Sequence, residues 1–167
     1  MKCGLLGRKL VHSYSPQIHS YLGNYPYVLF EKEPDEVESF FKNGDFTAIN
    51  ITIPYKKDVI PYCTELSDRA KRLGAVNTIG KRGNGTFIGH NTDYFGFEFM
   101  VTKSGLDPSG KKALVFGTGG ASNTAVAALQ EMGADVVVIS HKDNVPENLM
   151  LHSDARVIVN ATPEGMY

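Results

Sequence analysis

The chain has 167 residues, of which 42 % are hydrophobic and 21 % charged, with 17 Lys and Arg against 18 Asp and Glu. That length supports one full core or two small ones, which excludes a disordered chain and a disulfide-stapled miniprotein. A net charge of −1 with scattered cations argues against a nucleic-acid partner or an anionic membrane surface. No run of roughly 18 apolar residues occurs, and the start Met1-Lys2-Cys3-Gly4 lacks a signal-peptide apolar region. Cys3 and Cys63 stand alone, as reduced thiols do in a cytoplasmic protein, and the five histidines lack metal-ligand spacing, so no metal is expected.

In chain order, 3–6 is a short apolar run that reads as a first strand. Ser15-Pro16 then opens a helix, with Ser at the cap, Pro at the first helical position, and Ile18 and Leu22 on one face. Residues 27–30 are β-rich. Residues 34–41 are helical, with Val37, Phe40 and Phe41 at helical spacing, and Asn43-Gly44 ends them. Residues 46–52 read as a buried strand, followed by a loop at Pro54 and a helix from Lys57. A further helix is expected over 66–73, with Ser67 or Asp68 near its start and Gly74 past its end. Segments 76–80 and 86–89 flank Lys81-Arg82-Gly83-Asn84-Gly85, a hairpin signal because Asn-Gly tolerates positive φ. Asn91-Thr92-Asp93 starts a helix over 94–101 that bridges to the second half.

Residues 104–111, with Gly105, Pro108 and Gly110, mark the domain boundary, giving domains 1–103 and 104–167. Beyond it lie a strand at 113–116, a glycine-rich turn at 117–122, a helix over 121–132 stopped by Gly133, and a β-branched strand at 136–139. This is one βαβ unit, with a parallel sheet expected to be covered on both faces. A third strand, 156–160, returns after 141–155, which leaves room for a short helix near 147–151. The fold class is therefore α/β, an N-terminal α/β domain followed by an incomplete Rossmann-type parallel dinucleotide-binding domain, and such a half-sheet exposes an edge and an apolar face.

Three segments carry candidate chemistry. The turn Gly117-Thr118-Gly119-Gly120-Ala121-Ser122 spells G-x-G-x-x-S between a strand and a helix, where backbone amides and the helix N-terminus favour a pyrophosphate. At the end of the next strand, Ser140-His141-Lys142-Asp143 holds both a basic pair, which suits the 2′-phosphate of NADP, and an acid, which keeps NAD open. In Asn50-Ile51-Thr52-Ile53-Pro54-Tyr55-Lys56, a strand running into a Pro loop would hold Thr52 and Lys56 at the carboxyl end of the sheet. A lysine kept from water or beside another cation, here Lys57, serves as a general base, although by itself Lys56 reads as a surface lysine. Ser13, Ser15, Asn77 and the Asn91-Thr92-Asp93 start read singly as turn, strand-edge and cap residues.

Together these segments form a recognisable set. The stretch from Val11 to His19 resembles the h-S-x-S-P-x-x-H segment of shikimate dehydrogenases, and Asn50 to Lys56 resembles their N-V-T-x-P-x-K. Gly74-Ala75-Val76-Asn77-Thr78 is similar to G-A-V-N-T, and Gly89 to Gly96 to G-x-N-T-D-x-x-G. Gly117 to Ser122 resembles the family's cofactor turn, and Asn160 to Met166 its N-A-T-P-x-G-M. The resemblance implies reversible reduction of 3-dehydroshikimate to shikimate with NADP, in the biosynthesis of aromatic amino acids. It implies Ser13 and Ser15 on the substrate carboxylate, Thr52, Asn77 and Asp93 on its hydroxyl face, and Lys56 with Asp93 as the catalytic pair. It also implies cofactor contacts from Gly117, Gly119, Gly120, Ala121, Ser140, His141, Lys142 and Thr162. Family members commonly carry Arg where His141 stands and continue past Met166, so the chain reads as C-terminally truncated relative to the family. Alternatives are a quinate/shikimate dehydrogenase using NAD, a non-catalytic shikimate-binding fragment, and a fragment associating as a homo-oligomer through its sheet edge.

Overall fold

A computed structural model describes residues 2–165, so Met166 of the N-A-T-P-x-G-M motif lies outside the described residues. The backbone divides into two compact units, Met1–Asn91 and Thr92–Tyr167.

In the first unit, strands β1 (Cys3–Gly7), β2 (Tyr27–Glu31), β3 (Ala48–Ile51), β4 (Glu65–Leu66), β5 (Thr78–Lys81) and β6 (Phe87–His90) form one mixed sheet in the order β2-β1-β3-β5-β6-β4. β1 runs parallel to β2 and β3, while β3, β5 and β6 run antiparallel in turn. Side chains alternate between the two faces of a strand. Leu6, Phe30, Ile49, Ile51 and Ile79 therefore point into a core closed by Val37 and Phe41 of helix α2 (Val37–Asn43) and by Phe46. The other face receives Tyr27, Asn50 and Thr78, with Asn50 directly opposite Thr78 in the register. Helix α1 (Ser15–Leu22) follows β1 with Pro16 in its first turn, but Ser15 is its first residue rather than its cap: Tyr14 holds the cap position and no side chain caps the helix.

The structure departs from the sequence expectations at two further helices of this unit. The segment from Lys57 forms only a single 3-10 turn, Ile60–Tyr62, because Pro61 has no amide proton and its ring opposes a continuing α-helix. The helix expected over 66–73 is α3 (Asp68–Leu73), since Leu66 joins the two-residue β4 and pairs beside β6. Ser67 caps α3 by accepting the Ala70 amide at 3.2 Å, and Gly74 ends it in the left-handed region.

The second unit holds α4 (Asp93–Lys103), β7 (Lys112–Phe116), α5 (Gly120–Glu131), β8 (Asp135–Ile139), α6 (Pro146–Met150) and β9 (Val157–Asn160). Its three strands are parallel in the order β8-β7-β9, the βαβ arrangement expected. Ala113, Val115 and Val157 pack beneath Ala125 and Leu129 of α5, with Phe97 of α4 against the same cluster. α4 lies along α5, and the Tyr94 hydroxyl donates to the Glu131 carboxylate. By its contacts α4 thus groups with the second unit, which begins at Thr92. The sheet is not covered on both faces throughout: Ile158, on the face away from α5, is 70 % exposed.

Candidate active site

In the first unit, alternation along β3 buries Ile49 and Ile51 and turns Asn50 to the polar face, with Thr52 next in step. The Thr52 amide donates to the Leu6 carbonyl at 2.9 Å, and its own carbonyl accepts the Tyr55 amide at 3.0 Å, which turns the chain at the cis Ile53–Pro54 bond. A side chain at Gly7 would put its Cβ 2.7 Å from Thr52 Cγ2, so glycine there lets the two strand ends close up. Tyr55 is buried and donates to the Lys32 carbonyl, anchoring the loop that carries Lys56. The Lys56 carbonyl accepts the Val76 amide at 2.7 Å, and the Ile51 amide donates to the Asn77 carbonyl at 2.7 Å. These bonds hold the Thr52–Lys56 loop and the G-A-V-N-T segment side by side. Asn91 donates to the Ala75 carbonyl at 3.1 Å, fastening the end of β6 to the same segment.

The serines join this group through side chains. Ser13 Oγ accepts the Ser15 amide at 3.2 Å, and Ser15 is hydrogen-bonded to Tyr27. Tyr27 donates to Asn50 at 2.8 Å, Asn50 to Thr78 at 3.3 Å, and Thr78 to Asn77 at 3.1 Å. Burial pushes the Tyr27 phenol up to about 12, against the opposing hydrogen bond from Ser15, so the hydroxyl stays a donor at neutral pH. His19 stacks on the Tyr27 ring with centroids 3.8 Å apart. The structure thus connects Ser13, Ser15, Thr52, Lys56 and Asn77 within one unit. Asp93 belongs to the other, in the first turn of α4, where a carboxylate meets the positive end of the helix dipole.

The glycine turn sits at the carboxyl end of the second sheet, at the point where strand order reverses on either side of β7. Gly117 has φ +107°, and a Cβ there would lie 2.9 Å from the Ala161 carbonyl oxygen, so only glycine is accommodated without strain. Gly119 and Gly120 face open space, and no side chain caps α5, so its first-turn amides are directed at whatever lies beyond them. Ser122 is buried where the helix meets the sheet. A cleft of about 520 Å³ opens here, walled by Gly117, Ser140, His141 and Thr162 among others. Lys142 is exposed and does not line it. The Asp143 carboxylate accepts the Ser140 hydroxyl. Thr162 donates to Asn160 Oδ1 at 2.6 Å, which shapes the opposite wall. An open, glycine-lined helix N-terminus beside a cleft of this size fits a dinucleotide.

Tyr27 and Thr78, on the polar face beside Asn50, and Asn144 and Asn160, which line the cleft, were not among the expected site residues. Asn50 and Thr52, alternating with three isoleucines, carried a period-two signal for a polar sheet face; Tyr27 carried none. Among the described residues no helix is long and apolar enough to cross a membrane, and no three His, Cys, Asp or Glu side chains gather as for a metal ion.

Residues 5–79 match the family model described as the shikimate dehydrogenase substrate binding domain. A shikimate dehydrogenase (NADP(+)) of Caldicellulosiruptor saccharolyticus is 34 % identical over 84 % of this chain and 54 % of its own length. One from Clostridium beijerinckii is 34 % identical over 98 % of this chain and 68 % of its own. The crystal structure of shikimate dehydrogenase 1 from Peptoclostridium difficile superposes with a TM-score of 0.84 at 34 % identity, covering 99 % of this chain and 68 % of that one. The chain thus spans between about half and two thirds of these relatives. With matches of this extent on top of the motifs and the fold, the chain belongs to the shikimate dehydrogenase family.

Proposed function

We propose that the chain takes part in the reversible, NADP-dependent reduction of 3-dehydroshikimate to shikimate, with residues 1–103 as the substrate-binding part and 104–167 as part of the cofactor-binding domain. The observation that carries this reading is that Ser15, Thr52, Lys56 and Asn77 lie in one unit, where backbone bonds from Val76 to Lys56 and from Ile51 to Asn77 hold the Thr52–Lys56 loop beside the G-A-V-N-T segment. A polyhydroxylated acid needs several fixed polar partners, because an unpaired buried group costs about 1–3 kcal/mol. Ser13 and Ser15 would hold the carboxylate, and Thr52 and Asn77 the hydroxyl face. Lys56 would take the proton of the reacting hydroxyl during oxidation and return it in the reverse direction, with Asp93 as its carboxylate partner. The nicotinamide, when bound, accepts or returns the hydride. Gly117, Gly119, Gly120 and Ala121 would admit the pyrophosphate to the start of α5; Ser140, His141, Lys142 and Thr162 would contact the rest of the cofactor. A cytoplasmic location, with a small molecule rather than a nucleic acid or membrane as partner, belongs to the same reading and is supported by the two free cysteines and the near-neutral charge.

The test is to mix the chain with shikimate and NADP at alkaline pH, follow the absorbance of the reduced cofactor, and titrate shikimate calorimetrically. Turnover supports the enzyme, heat without turnover selects a shikimate-binding module, and neither overturns the reading.

His141 sets a second expectation. A neutral imidazole is a poorer anchor for a 2′-phosphate than a guanidinium, which binds it in a bidentate manner. His141→Arg is expected to raise the affinity for NADP relative to NAD about tenfold or more, as charge-assisted hydrogen bonds would give, measured by titrating each nucleotide.

A further inference from the structure

Helix α1 carries Ser15 but is poorly seated by apolar contact. Each of its eight residues keeps partial or full exposure, with Ile18, Tyr21 and Leu22 at 55, 81 and 69 %. Polar and ring contacts from the edge strand β2 hold it. Tyr27 and Glu31 stand on one face of that strand, at alternate positions. Glu31 accepts the Leu10 amide at 2.6 Å, which fixes the start of the loop leading to α1. Tyr27 fixes its end. The phenol oxygen is hydrogen-bonded both to Ser15 and, at 2.8 Å, to Asn50. Whichever group supplies each proton, that oxygen ties the first residue of α1 to β3, across β1. Four residues on, His19 lies on the same face of α1 and stacks on the Tyr27 ring, with centroids 3.8 Å and planes 18° apart. The Tyr25 hydroxyl, 2.7 Å from His19 Nδ1, keeps the imidazole in that place. Tyr27 thus grips α1 twice, by its hydroxyl at Ser15 and by its ring at His19.

We propose that Tyr27, with His19 against its ring, is a positioning residue that aims Ser15, and through it Ser13, at a carboxylate ligand. Ser13 follows because its Oγ accepts the Ser15 amide at 3.2 Å. The proposal rests on the substrate reading above, in which the two serines hold the carboxylate of shikimate, and deepens it by naming what places them. Tyr27→Phe keeps the ring and its stack but cuts the bonds to Ser15 and Asn50. His19→Ala keeps the phenol and removes the stack. Both residues are half-buried and stand outside the core cluster, so neither variant opens a hole in the core.

Shikimate is titrated calorimetrically into the 167-residue chain and its variants, and backbone amide exchange of the ligand-free proteins is followed by NMR. Tyr27→Phe is expected to lose roughly fivefold or more in affinity, and His19→Ala roughly threefold or more. In a Ser15→Ala background each substitution should change affinity by less than about twofold, as required of groups that act through Ser15. A general loosening of the unit would lower affinity in full there too. Amide exchange over residues 18–22 should quicken in both variants while that of β1 and β3 holds. Wild-type affinity in either variant, losses that persist in the Ser15→Ala background, unaltered exchange in α1, or exchange quickened equally in β3 would overturn the proposal. Absence of heat from wild-type chain and shikimate would defeat the substrate reading alone, and exchange in α1 against β3 would then decide the positioning role by itself.

Discussion

Replacing Lys56 with alanine is expected to lower turnover by about 10²–10⁴-fold, the range for loss of a general acid–base group, while shikimate affinity changes only a few-fold. The split follows from how the loop is built. The Lys56 backbone is fixed independently of its side chain, through the bond from Val76 and the buried Tyr55 beside it. Truncation at Cβ therefore leaves Thr52 and Asn77 where they are, tied by the bonds of Ile51 and Leu6. On the proposed roles, binding contacts would persist, and what would be lost is a proton donor and acceptor needed only as the carbon–oxygen bond changes order. Uniform loss of binding would raise the Michaelis constant without touching kcat. Steady-state and single-turnover kinetics on the variant decide it: an unchanged kcat with a raised Michaelis constant would remove Lys56 from the chemistry.

The second unit was more legible from sequence than the first, for a physical reason. β7, the glycine turn, α5 and β8 follow one another within a short stretch, and each has a local signal: an apolar run, positive-φ glycines, a 3.6-residue period, a β-branched run. In the first unit, β4 has two residues, too few for any period, and exists only because β6 offers it an edge. The helix read from Lys57 ignored Pro61, whose veto is local and was available. The site divides the same way. Thr52, Lys56 and Asn77 sit in short recognisable strings, whereas the bond from Tyr27 to Asn50 spans 23 positions and that from Asn50 to Thr78 spans 28. Such pairs are made by strand register, and nothing in the flanking residues announces them.

Phe41→Ala is expected to cost the first unit about 3–5 kcal/mol, the range for emptying a buried aromatic site. Phe41 is 4 % exposed and meets four other rings: it stacks on Tyr62 at 4.6 Å and packs edge-on against Phe40, Phe46 and Phe87 at 5.6, 5.8 and 5.7 Å. Those partners come from α2, the loop ahead of β3, the 3-10 turn and β6, whose backbones are held by separate hydrogen bonds and cannot all move in to fill the space. A cavity therefore remains, and its cost adds to the lost transfer energy. Against a usual total stability of about 5–15 kcal/mol, the variant would lie near its unfolding midpoint at modest urea. The chain has no Trp, so tyrosine fluorescence and far-ultraviolet circular dichroism would follow the transition. The consequence reaches the opposite face, because Ile49 and Ile51 share β3 with Asn50. The side-chain period of a strand is two, so the apolar face that fixes the register of β3 also fixes which side Asn50 presents. Shikimate affinity in Phe41→Ala should thus fall in step with the folded fraction as urea is raised; a loss below about 1 kcal/mol would show that the ring cluster does not set that register.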